Sequence, residues 1–189
     1  MFADTRTAHD LDDLAGSAMT DAILHPVQSP VEQLLRDCEV RHSRRRGPGG
    51  QHRNKTESAV EIRHTPTGVE SEGTERRSQH DNLRVAVKRL RVNLALAVRT
   101  TELADAAPTE LWQSRRHGAR IACNPDHEDF APLLAEALDV LHAHHAHVPG
   151  AALQLGITAS QLVKFLKHEP RALLQVNAER SRLGLRPLE

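Results

Sequence analysis

The clearest periodicity in the chain lies between Ser78 and Thr100. Leu83, Val87, Leu90, Leu94 and Ala97 recur at intervals of four and three, the spacing of one helix face. Ser78 stands where an N-cap is needed, and Asp81 falls at the capping-box position. The pattern predicts a long helix ending near Thr100. Upstream the period changes to two. In Ser58–His64, Val60 and Ile62 face one way and Glu61 and Arg63 the other, which predicts a strand. Cys38–Arg44 alternates in the same way. Thr65–Gly68 reads as a hairpin turn and Val69–Gly73 as the return strand. Ser29, Pro30 and Glu32 supply the cap, first position and capping box of a short helix with Val31, Leu34 and Leu35 on one side. Asn54–Ser58 is expected to form a helical turn.

Beyond a linker at 101–110 the pattern reads helical throughout. Asn124-Pro125-Asp126 is expected to start a helix carrying Phe130, Leu133, Leu134, Ala137, Leu138 and Leu141, broken at Pro149-Gly150. Within Ala151–Leu166, Ala152, Gly156, Leu162 and Phe165 have the spacing of a helix-turn-helix. Pro170 opens a last helix running to about Leu183. The expected fold is α+β: a small mixed β-sheet on one long helix, then an all-α C-terminal region with a helix-turn-helix-like element. The expected organisation is a flexible acidic tail at 1–28, a first domain at 29–100 and a helical domain at 101–189.

Composition changes this picture in two ways. Aromatic residues are 2% of the chain, so the core must be aliphatic. The formal net charge is zero, but it is unevenly spread: residues 1–35 carry −5, residues 36–99 carry +7 and residues 100–189 carry −2. The middle of the chain therefore suits a polyanion. Cys38 and Cys123 are too few for a disulfide framework and are read as reduced thiols of a cytoplasmic protein. The start has neither a basic nor an apolar region of a secretory signal, and no apolar run approaches the ~20 residues of a membrane span. No cofactor and no membrane association is expected.

The candidate chemistry sits in "RRRGPGGQHRNK", Arg44–Lys55. Gly47, Gly49 and Gly50 permit close backbone approach to a ligand, and Pro48 stiffens the turn. Gln51 adds an amide that both donates and accepts. Arg44, Arg45, Arg46, Arg53 and Lys55 can neutralise several phosphates. A cationic arm with a slim tip fits a narrow channel walled by nucleic acid. No Gly-x-x-x-x-Gly-Lys-[Ser/Thr] pattern is present, so this is not a nucleotide cradle.

The loop, the Pro66-Thr67-Gly68 turn, and Arg77-Ser78-Gln79-His80 with Asn82 form an ordered set within about Cys38–Leu96. That set resembles the catalytic domain of class I peptide chain release factors and their ribosome-rescue relatives. The resemblance implies hydrolysis of the peptidyl-tRNA ester in the peptidyl transferase centre of the large ribosomal subunit. It implies that Gly49, Gly50 and Gln51 are catalytic, with the Gln51 backbone N–H stabilising developing charge and its side chain positioning water. Ribosomal RNA builds the rest of the site, so no protein general base is required. Arg44, Arg45, Arg46, His52, Arg53, Asn54, Lys55, Arg77, Arg84, Lys88 and Arg91 are the expected rRNA-binding residues. The implied partners are the large subunit, P-site peptidyl-tRNA and a glutamine methyltransferase acting at Gln51. Arg53 departs from the small apolar residue of many relatives. About 37 residues precede the domain, so no stop-codon-reading domain is expected, nor a lysine-rich C-terminal tail. The expected activity is therefore codon-independent.

Other features are weighed against this. His142 with His145, and His144 with His147, have helical spacing for a metal, but no acidic or cysteine partners accompany them and no metal is assigned. His52 beside Gln51 is read as facing RNA rather than as a base. Trp112, near Arg115, Arg116 and Arg120, either anchors a helix or stacks on a base. The helix-turn-helix segment offers Ser160, Gln161 and Lys164 to duplex DNA, or serves docking and packing. The alternatives to an enzyme are thus a non-catalytic ribosome-binding factor and a DNA-binding regulator.

Overall fold

The computed structural model describes residues 25–43, 58–100 and 106–189. A 3-10 turn at Pro26–Gln28 precedes helix α1 (Val31–Arg36) and strands β1 (Cys38–Ser43), β2 (Ala59–His64) and β3 (Glu70–Gly73). The long helix α2 spans Gln79–Ala97. Helix α3 (Glu110–Arg115) runs into a small hairpin, β4 (Arg116–His117) and β5 (Arg120–Ile121). Helices α4 (Phe130–Ala143), α5 (Val148–Gln154), α6 (Ala159–Leu166) and α7 (Pro170–Arg182) complete the chain.

The first sheet has the order β1-β2-β3 and is antiparallel throughout, not mixed. Consecutive strands here are joined as hairpins, whereas a parallel pair needs a long crossover. Cys38 faces His64 and Ser43 faces Ala59 across β1 and β2. Val60, Ile62 and His64 are buried, while Glu61 and Arg63 are exposed, as the alternation predicts. Gly68 turns the β2–β3 connection at φ +71°, with its N–H donating to the His64 carbonyl at 2.8 Å.

Helix α2 begins as predicted, with the Ser78 hydroxyl accepting from the Asp81 N–H. It stops at Ala97 rather than near Thr100. Arg99 folds back there and donates to the Ala95 and Leu96 carbonyls, both at 2.8 Å. The buried arc is wider than one stripe: Asn82, Ala86, Val92, Ala95 and Leu96 join Val87, Leu90 and Leu94, while Ala97 is exposed. The reason is that α2 is covered twice, by β2 and β3 on one side and by α4 on another. Helix α1 starts at Val31 with Pro30 as its N-cap, so Ser29 does not cap it; the Pro30 carbonyl accepts from the Gln33 and Leu34 N–H groups.

Three further expectations change. The linker is followed by α3 and the β4–β5 hairpin, not by helix alone; Gly118, at φ +59°, lets the chain reverse. Helix α4 starts at Phe130, because Asn124 Oδ1 instead caps a local turn by accepting from the Asp126 N–H. The expected tail is packed from His25 onward: Val27 is wholly buried, and His25 Nδ1 accepts from the Val27 N–H while Nε2 faces the Val98 carbonyl at 3.3 Å. The apolar core is continuous from Val27 through the sheet, α2 and α4 to Val176 in α7. In α4 every residue from Phe130 to Leu141 is buried.

Candidate functional site

Gly49, Gly50 and Gln51 lie outside the described residues, as do Arg44, Arg45, Arg46, His52, Arg53, Asn54 and Lys55 and all of the expected Asn54–Ser58 turn except Ser58. The two roots of that segment are described. Ser43, at the end of β1, pairs with Ala59 at the start of β2, so residues 44–57 connect two hydrogen-bonded strand ends. The Ser43 hydroxyl also donates to Glu61 Oε1 at 3.0 Å.

Asn82 ties this root to the start of α2. Its side chain is fully buried, and its Nδ2 donates to the carbonyls of Ser58 (2.5 Å) and Arg76 (2.9 Å). Its Oδ1 accepts from the Arg76 N–H at 2.8 Å. One amide thus joins the exit of the loop segment, the 74–78 connection and the long helix. Gly73 allows the close fit: a Cβ there would meet the Asn82 carbonyl oxygen at 2.1 Å. Next to it, Arg89 donates to the Glu72 carbonyl at 2.8 Å and pairs with Glu75 at 2.5 Å. The Thr74 N–H and Arg89 hold the Glu75 carboxyl down to about 2.

The expected cationic stripe divides into different environments. Arg77 and Arg84 are exposed. Lys88 pairs with Asp126. Arg91 donates to the Val27 carbonyl at 2.8 Å, and burial pushes its guanidinium below the usual arginine range. Its side chain therefore fastens the chain entry to α2, a role its helical spacing does not reveal. The sequence signal for Asn82 was present but easily overlooked: a polar residue on the apolar row with Ala86, Leu90 and Leu94.

The remaining candidates separate from the loop. Trp112 is fully buried, donates from Nε1 to the Leu155 carbonyl at 2.9 Å and packs edge-on to Phe165 at 5.9 Å, so it does not stack on a base. The histidine run is not one helix: His145 and Ala146 have φ of 51° and 57°, which removes the helical spacing behind the metal pairs. His144 Nε2 meets Gln154 Oε1 at 2.7 Å, and His147 caps α5 by accepting from the Gly150 N–H. Among the described residues no group of three or more His, Cys, Asp and Glu side chains is placed to hold a metal. Cys38 and Cys123 are free, and burial pushes both thiols up. Among the described residues no helix is long and apolar enough to cross a membrane.

The RF-1 domain family matches residues 29–122, which takes in the sheet, α2, α3 and the β4–β5 hairpin. Peptide chain release factor 1 of Xylella fastidiosa is 44% identical over 99 residues, covering 51% of this chain and 27% of that protein. Peptide chain release factor 1 of Mesoplasma florum is 41% identical over 95 residues, covering 49% of this chain and 26% of its own length. The chain thus spans about a quarter of the length of the curated relatives it matches. The glycine-glutamine segment, its strand-paired root and the capped helix behind it all fall inside the matched region, and through it the chain belongs to the class I peptide chain release factor family.

Proposed function

We propose that this chain releases nascent peptide on the ribosome by codon-independent hydrolysis of the peptidyl-tRNA ester, as a cytoplasmic rescue factor. Gly49 and Gly50 let the backbone at Gln51 approach the ester closely, and the Gln51 N–H stabilises the charge developing in the transition state. Such a donor contributes roughly 3–4 kcal/mol when it is preorganised. The Gln51 side chain positions water, and a methyltransferase modifying this amide is a further partner. Arg44, Arg45, Arg46, His52, Arg53, Asn54 and Lys55 contact rRNA around the tip, with Arg77 and Arg84 contributing from α2 and its approach; Lys88 reaches RNA by exchanging its Asp126 partner.

The observation that carries this reading is the match over residues 29–122 combined with the root geometry. The described residues flanking the glycine-rich segment are held together, Ser43 by pairing with Ala59 and Ser58 by the Asn82 amide, which supports reading that segment as a positioned one. Pre-paid orientation of that kind is what positional catalysis requires. The test is peptide release from ribosomes carrying P-site peptidyl-tRNA, with a stop codon, a sense codon or no codon in the A site. Equal release in all three is expected. Release only at a stop codon would refute codon independence, and ribosome binding without release would favour a non-catalytic factor.

A further inference from the structure

We propose that the β4–β5 hairpin and helix α6 form a second nucleic-acid surface, which holds the phosphate backbone of duplex RNA. The choice of RNA over other polyanions rests on the release function proposed above; the surface itself does not.

Two stretches without any acidic residue meet here. One is Leu111–Pro125, and the other is Val140–His168. They are joined where the Thr158 N–H, at the N-cap of α6, donates to the Ala119 carbonyl of the hairpin turn at 3.2 Å. Arg116 bridges the same junction, donating to the Gly118 carbonyl at 3.0 Å and facing the Gly156 carbonyl at 3.4 Å. The inner side of α6 is fixed: Leu162, Phe165 and Leu166 are buried, with Phe165 against both Trp112 and Phe130. Its outer side must therefore carry Ser160, Lys164 and Lys167, all exposed, beside the exposed Arg120. None of Arg120, Lys164 and Lys167 forms an ion pair among the described residues. This local surplus of positive charge sits in a C-terminal region whose net charge is −2.

Cations that a fold leaves unpaired beside stretches without acidic residues complement phosphates. Arg120 on the β-ribbon and Lys164 and Lys167 on and just after α6 present that charge from two neighbouring elements, as a phosphate backbone can use. The surface is defined by the unpaired cations Arg120, Lys164 and Lys167, so the contact proposed is with the phosphate backbone rather than with sequence. This surface lies outside the loop segment, so the chain would hold RNA at two places.

The test uses the full chain and a short RNA duplex, with a DNA duplex of the same sequence as a second arm. Arg120→Gln, Lys164→Gln and Lys167→Gln are combined in one protein, and thermal melting confirms that it folds. Binding of the RNA duplex is expected to weaken about tenfold or more, with the slope of log affinity against log salt falling by about 2–3. Gly50→Ala is expected to bind the RNA duplex like the parent, which separates this surface from the release chemistry. Unchanged RNA affinity in the triple variant would overturn the proposal. So would tighter binding to DNA than to RNA, which would assign the surface to a DNA contact instead.

Discussion

Asn82 is fully buried and uses both donors and its oxygen on three backbone groups of Ser58 and Arg76. Removing it leaves those groups without this partner at the start of α2. Asn82→Ala is expected to cost about 2–4 kcal/mol in chemical denaturation, since each orphaned group carries its own desolvation penalty. Asn82→Asp keeps the bond to the Arg76 N–H but sets a carboxylate against two carbonyls, so it is expected to be no better. A loss under about 0.5 kcal/mol in the alanine variant would show that the root is held in another way. At this scale residue type was easier to read than context. Gly49, Gly50 and Gln51 stand out by type and order, and their role belongs to the proposed release chemistry. Arg91 and Trp112 do not, because spacing alone cannot distinguish an outward arginine from one donating to Val27, or a stacking indole from one bonded to Leu155.

Two glycines of the β2–β3 hairpin give the element scale a sharp contrast. Gly68 has φ +71° and open space around its Cα, so Gly68→Ala is expected to cost only the left-handed penalty of about 1–2 kcal/mol. Gly73 has no such torsion, yet a Cβ there would strike the Asn82 backbone. Gly73→Ala is expected to be the worse of the two, by about 1–3 kcal/mol of overpacking strain and with the loop root displaced from α2. Melting temperatures of the two variants check the order, and the reverse order would contradict the packing described. The strands, α2 and its Ser78 cap were legible because period and capping are local signals. The β4–β5 hairpin was not, since two-residue strands are too short to show alternation and are stabilised by contact with α6. The wider buried arc of α2 was hidden for a related reason: the sequence gives no sign that two layers cover the same helix.

The whole molecule has one continuous core, and that core contains ionisable groups. Burial pushes His25 and His64 below the usual histidine value. Burial pushes Asp139 and Glu136 up, while Thr100 and Thr109 donate to them and oppose the rise. For the histidines the unfolded chain takes up protons near pH ~6.5 that the folded chain refuses, so stability falls on acidification through that value. The raised acids act in the opposite sense, adding stability below the ordinary carboxylate range and losing it as pH rises through their folded values. Denaturation of the parent and of His64→Gln at pH values from ~7.5 to ~5.5 is expected to show a shallower acid loss in the variant. Parallel curves would mean that His64 does not titrate as its burial requires. The packing of Val27 under α2 and of α4 against α2 joins segments that differ in composition, a contact that no local sequence signal announces.

The central claim is tested most directly by the rate of peptide release from P-site peptidyl-tRNA at saturating protein, compared between the parent and Gly50→Ala. The account predicts a rate lower by about 100-fold or more in the variant, with ribosome binding retained. Equal rates in the two proteins would contradict it.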